Sequence, residues 1–103
     1  EPTWDDTVAT AAMTRSKEIE KSLSHTRPDG RNFGTAITDL GITYRGAGEN
    51  IAWGQKTPEA VMNAWMNSEG HRANILNPNF KKLGVGYRTD SQRTPYWTQL
   101  FTY

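Results

Sequence analysis

Leu83-Gly84-Val85-Gly86-Tyr87 is the stretch on which the fold turns. Large side chains alternate with none, so one face of this strand is packed while the glycines leave the other open to close approach by a neighbouring element. A polar turn over Thr89 to Thr94 follows, and Tyr96 to Phe101 then reads as the hairpin partner. Upstream, Gly48-Glu49-Asn50-Ile51-Ala52-Trp53 reads as a further strand. Helical signals fall early and strand signals late, which predicts an α+β fold around an antiparallel sheet rather than alternating βαβ units.

Four segments carry the helical signals. Asp5 or Asp6 caps a helix over residues 6–23, in which Val8, Ala12, Ile19 and Leu23 share one stripe of a 3.6-residue period. Arg15, Lys17, Glu18, Glu20 and Lys21, mixed in sign, read as its solvated face. Ser24 to Asn32 is loop, which leaves His25 just past the helix end. Phe33 to Leu40 forms a short helix closed by Gly41. Thr57-Pro58-Glu59 is a helix start with threonine at the cap, proline at the first turn and an acid near the positive dipole end. Val61, Ala64 and Trp65 then face the core. Ser68 caps a last helical segment that runs to Leu76, with His71 in its first turn and Asn77-Pro78 ending it.

A length of 103 residues fits a single domain, 1–103, and eleven aromatic side chains let a small core close at only 35% hydrophobic content. Twelve basic against eleven acidic residues, in no long block, lack the electrostatic footprint of a nucleic-acid binder. The absence of cysteine excludes disulfides, thiolate nucleophiles, iron–sulfur clusters and Cys-ligated zinc. No apolar run approaches the ~18 residues of a membrane span, so the chain is expected to be soluble. Glu1-Pro2-Thr3-Trp4 is not a signal peptide, although a chain trimmed after an export signal would look the same.

The two histidines are the chemical focus. His25 stands in Ser24-His25-Thr26-Arg27-Pro28-Asp29-Gly30 and His71 in Ser68-Glu69-Gly70-His71-Arg72, with Gly48-Glu49-Asn50 between them. Two imidazoles plus water make an open zinc site, with Glu49 adding an oxygen or orienting a ring. No compact motif such as HExxH joins them, so only folding can bring them together. The spacing alone favours two ordinary surface or hydrogen-bonded histidines, and is equally compatible with Glu49 accepting backbone amide hydrogen bonds. Ser68 and His71 lie close enough to suggest a serine hydrolase, which further requires an orienting acid and an oxyanion hole. Asn50, Asn74 and Gln99 are expected to satisfy buried backbone groups, and Trp53, Trp65 and Trp97 to sit in the core.

Taken together, these segments resemble the CAP superfamily of SCP-like, or sperm-coating-protein-like, domains, and in particular its bacterial extracellular branch. Gly48 to Ala52 matches a GENIA-type strand, Gly70 to Leu76 a GHRANIL segment, Leu83 to Gly86 and Tyr96 to Phe101 the closing strands, and Ser24 to Gly30 an SHTSPDG-like loop. The resemblance implies a three-layer α/β/α sandwich around an antiparallel sheet, with a cleft lined by two histidines and two glutamates. His25 and Glu49 carry over directly. His71 matches the bacterial branch, whereas animal and plant members place the second histidine where this chain has Tyr96. The second glutamate position falls on Ser68, with Glu69 one place further on. The family's opening helix is expected before Trp4 and is missing from this sequence, through trimming or an incomplete layer.

The function this implies is that of a secreted or cell-surface, monomeric, non-enzymatic domain. His25, Glu49, Ser68, Glu69 and His71 would contact a lipid, sterol, peptide or cell-wall ligand. His25 and His71 would hold an optional, exchangeable zinc whose binding weakens below about pH 6, where imidazole protonates. The rivals are a metal-dependent hydrolase with Glu49 or Glu69 as general base, and a protein-interaction module.

Overall fold

The computed structural model describes residues 2–103. Its elements in order are β1 (Thr3–Trp4), α1 (Asp6–Lys21), α2 (Thr35–Thr38), β2 (Ala47–Trp53), α3 (Pro58–Met66), α4 (Glu69–Leu76), β3 (Lys82–Thr89) and β4 (Pro95–Thr102). Four strands form one sheet in the order β1-β3-β4-β2, mixed α+β as expected. The β2/β4 and β3/β4 pairs are antiparallel, while the two-residue β1 adds a parallel edge against β3, which the sequence reading did not foresee.

Register assigns each face. Glu49, Leu100 and Gly84 lie in one row across the sheet, and Ile51, Thr98 and Gly86 in the next equivalent row. This face receives α1, because a Cβ at Gly84 would meet the Ala9 backbone and one at Gly86 the Ala12 backbone. The glycines thus let the helix axis approach the sheet to backbone contact. Val8, Ala11, Ala12, Ala36, Ile37 and Leu100 form the core on this side, with α2 beside α1. On the opposite face Trp97 packs with Val61 and Trp65, and Phe80 stacks on Phe101 at 5.2 Å. Helices therefore lie on both faces of the sheet.

The local signals act as the chemistry requires. Asp5 caps α1, accepting from the amides of Thr7 and Val8, and those bonds, the Val8 one foremost, hold its carboxyl below the usual range. Gly41, at φ +87°, closes α2 and donates to Thr38 O at 2.9 Å. Thr57 caps α3 by accepting from Ala60 N at 3.1 Å.

Four expectations are corrected. Arg15 is not on a solvated face but fully buried, since it lies seven residues after Val8 and so on the same stripe. Trp53 is not core: at the end of β2 it passes beyond the helices and is 56% exposed. Ser68 occupies the position before α4 without capping it, because its hydroxyl pairs with His71 instead. Leu23, counted on the α1 stripe, lies past the helix end and is 51% exposed.

Candidate functional site

The site is organised from the buried guanidinium of Arg15. Position 15 faces the sheet, and the register places Glu49 on that same face, so the two meet with neither side chain exposed. Arg15 Nε donates to Glu49 Oε2 at 2.7 Å and Nη2 to Oε1 at 3.2 Å. Its remaining donors go to Glu18 Oε1 at 2.8 Å and to the carbonyl of Ser24. A buried charge is tolerated only when paired and hydrogen-bonded, and here each forked nitrogen has an oxygen. Burial alone would lower the arginine pKa, but the Glu49 and Glu18 hydrogen bonds outweigh it and raise it.

Beyond Glu18 the ionic chain continues outward. Arg27 grips both Glu18 oxygens from Nε, at 3.1 and 3.0 Å, and donates through Nη2 to Oε2 at 2.9 Å. It then reaches Thr35 Oγ1 and Asp39 Oδ2 through Nη1. Burial pushes the Glu18 carboxyl up, yet hydrogen bonds from Arg27 and Arg15 bring it below its usual range. Asp39 is held low in the same way, by Arg31 first and Arg27 second. This chain fastens the 24–34 loop to α1 and α2.

His25 sits at the inner end of that chain. Its Nδ1 lies 2.8 Å from Glu49 Oε1, and because a carboxylate only accepts, this nitrogen carries the hydrogen. Nε2 therefore faces away from Glu49, on a ring whose side chain is 58% exposed. The ring also meets Phe33 edge-on, and its backbone carbonyl accepts from Phe33 N.

His71 arrives from the other side of the sheet. Strand β2 is an edge strand, and α4 wraps that edge: Asn50 Nδ2 donates to His71 O at 3.1 Å, while Asn74 Nδ2 donates to Glu49 O and Asn50 Oδ1. Asn50 and Gln99 bond each other at 3.0 Å, so these amides are structural, as expected. His71 Nδ1 lies 2.9 Å from Ser68 Oγ. Desolvation lowers the His71 pKa, and the nearby His25 lowers it further. The two rings are carried by different elements, His25 by the loop after α1 and His71 by α4.

Ser68 therefore joins the site through His71, whereas Glu69 is exposed in the first turn of α4 with no side-chain hydrogen bond among the described residues. Tyr96 is turned away, its hydroxyl donating to Asp90 Oδ2 at 3.2 Å. The residues that sequence reasoning missed are Arg15, Glu18 and Arg27. The signal for Arg15 was its offset from Val8.

The donor set limits what metal would fit. Both Glu49 oxygens are committed to Arg15 and His25, and among the described residues no group of three or more His, Cys, Asp or Glu side chains converges as a metal site. What remains is a pair of imidazoles, each oriented through Nδ1, which suits an open site completed by water rather than a closed structural one.

Along the outside of β2 run two shallow hollows that share Leu23 and Trp53. One, about 280 Å³, reaches His71 and Ser68, and the other, about 300 Å³, reaches Tyr96.

Comparison with known proteins places this geometry. The profile of the cysteine-rich secretory protein family, CAP, matches residues 2–101. The uncharacterized protein YkwD of Bacillus subtilis is 46% identical over 99 residues, covering 94% of this chain and 37% of YkwD. A crystal structure of an extracellular protein containing an SCP domain from Bacillus anthracis superposes with a TM-score of 0.87 at 34% identity, covering 98% of this chain and 33% of that one. An outer surface protein of Borrelia burgdorferi gives the same TM-score, 0.87, at 22% identity, over 99% of this chain and 77% of that one, a likeness of fold alone. The chain thus spans little more than a third of YkwD and a third of the anthrax protein. Among the described residues no helix is long and apolar enough to cross a membrane.

Proposed function

The chain belongs to the cysteine-rich secretory protein (CAP) family, and from that premise we propose that it is a non-enzymatic ligand-binding domain acting outside the cell or at its surface. The binding face is the β2 edge, where Ser68 and His71 line one of the Leu23–Trp53 hollows, with His25, oriented by the buried Glu49, exposed on the loop after α1. The observation that carries the reading is how the catalytic parts are divided. Serine partners His71, but the buried acid partners His25, so neither imidazole has both a nucleophile and an orienting acid. Glu49, clamped by Arg15 and His25, has no side-chain exposure through which to meet and activate a water as a general base. The description of the Bacillus anthracis relative as extracellular supports the location.

Zinc enters this reading as an exchangeable ion that His25 and His71 would hold. When bound it would supply a Lewis-acidic contact for an oxygen of the ligand. The chain's own part is orientation: Glu49 fixes the His25 ring, Ser68 fixes the His71 ring, and Arg15 fixes Glu49. The domain is proposed to work as a monomer and without nucleic acid.

The test is a calorimetric zinc titration of the wild type, His25→Ala and His71→Ala, paired with a peptide-library cleavage assay. Zinc heat lost in both variants, with no turnover in any protein, is the expected result. Metal-dependent turnover abolished in His71→Ala would overturn the non-enzymatic reading, and unchanged zinc heat in both variants would remove the shared two-imidazole site.

A further inference from the structure

We propose that Arg27, acting through Glu18 and Arg15, is a positioning residue that sets the tautomer of His25. This rests on the reading above, in which His25 contacts the ligand or ion, and concerns how that ring is held ready. His25 is exposed on a loop, a setting in which a neutral imidazole is otherwise free to carry its hydrogen on either nitrogen. Here Nδ1 lies 2.8 Å from Glu49 Oε1, which only accepts, so the hydrogen is held on Nδ1 and the lone pair is left on Nε2.

The alignment of Glu49 is itself set from further away. Arg15 holds both Glu49 oxygens, and the donors left over on its fork go to Glu18 Oε1 at 2.8 Å and to the carbonyl of Ser24, the residue before His25. Glu18 Oε1 is shared, because Arg27 Nε donates to that same oxygen at 3.1 Å. Two guanidinium groups therefore meet on one carboxylate, and the rotamer of Arg15 depends on where Arg27 holds that carboxylate.

Arg27 has the reach this role needs. It is buried two residues after His25, and its donors span three segments: Glu18 of α1, Thr35 Oγ1 of α2 at 2.9 Å, and Asp39 Oδ2 just beyond α2 at 3.1 Å. It thus fixes the His25 loop and the Glu18 oxygens at once. Glu18 keeps some exposure, so without Arg27 it is free to turn to water and leave Arg15 Nη1 without its acceptor. A lysine at 27 keeps the charge but, as a point charge on a flexible stem, cannot reproduce the planar fork. A mere fastener would alter stability alone, whereas a positioning residue alters the His25 tautomer in molecules that remain folded.

The experiment is long-range ¹H–¹⁵N NMR of the His25 ring, recorded with the ring neutral and without metal or ligand. The proteins are the wild type, Arg27→Met, Arg27→Lys, Glu18→Gln and Arg88→Met. The wild type is expected to show Nδ1–H, and Arg27→Met to lower the ratio of Nδ1–H to Nε2–H by about twofold or more, the low end of coupling within one hydrogen-bond network. Arg27→Lys should restore little of it. Glu18→Gln, which keeps the shape of the bridge and removes its charge, should act in the same direction and carries the test if Arg27→Met does not fold. Arg88→Met, which breaks the 2.6 Å pair with Glu20 elsewhere on α1, should leave the ratio unchanged. A wild-type ratio in folded Arg27→Met or Glu18→Gln, or a wild-type ring carrying its hydrogen on Nε2, would overturn the proposal. Because no metal or ligand is present, a failure of the wild type to bind zinc would count against the reading above and leave this result standing.

Discussion

Removing the Arg15 charge is the perturbation with the most calculable consequence. In Arg15→Met the side chain keeps its length and apolar stem but no longer donates to Glu49, Glu18 and the Ser24 carbonyl. Glu49, whose side chain has no exposure, keeps only His25 as a side-chain partner. Breaking a buried ion pair by deleting one member costs about 3–5 kcal/mol, because the survivor is left charged and uncompensated. Against a total stability of roughly 5–15 kcal/mol this is a large fraction, and at about 4–8 °C per kcal/mol it lowers Tm by at least ~12 °C. The double variant Arg15→Met/Glu49→Leu removes both charges and should recover most of the loss, since apolar replacement of a whole buried pair is often neutral. Urea unfolding of the four proteins of the cycle measures this directly. A single-variant cost under about 1 kcal/mol, or a double variant no more stable than Arg15→Met, would refute the claim that this pair is buried and mutually dependent.

Three further outcomes follow from separate parts of the fold. Gly86→Ala forces a methyl against the Ala12 backbone of α1, and should cost about 1–3 kcal/mol or more in urea unfolding; a neutral result would mean α1 does not approach β3 so closely. Thr57→Ala should lose about 1 kcal/mol by deleting the α3 cap, whereas Ser68→Ala, which deletes no cap bond, should change stability much less but move the His71 ring signals. Between the ordinary imidazole value of about 6.5 and the lower folded value of His71, the unfolded chain binds the extra proton, so this group makes stability rise with pH through that window; a chemical-denaturation series in wild type and His71→Gln should show the slope reduced in the variant.

Most of the scaffold was legible because its signals are local. Thr57-Pro58-Glu59 dictates a helix start through one cap bond and one missing amide hydrogen, and Gly84 and Gly86 announce close approach by having no side chain. The site was half legible. His25 and Glu49 could be singled out, but what joins them is Arg15, and a charged residue among Lys17, Glu18, Glu20 and Lys21 reads as solvated unless its angle around the helix is counted from Val8. Arg27 was hidden for a different reason: its burial depends on Glu18 and Asp39, contributed by two other segments. Trp53 failed in the opposite sense, since alternation places a side chain on a face without saying whether a helix extends far enough to cover it.

The central claim is that the fold carries His25 and His71, one from each side of the sheet, to a shared cleft at the edge of β2. The direct test is the titration of His71 by NMR in the wild type and in His25→Gln. Because the neighbouring imidazole contributes to holding His71 low, its pKa should rise toward the ordinary value when that ring is replaced by a neutral amide. A His71 titration curve identical in the two proteins would contradict the account.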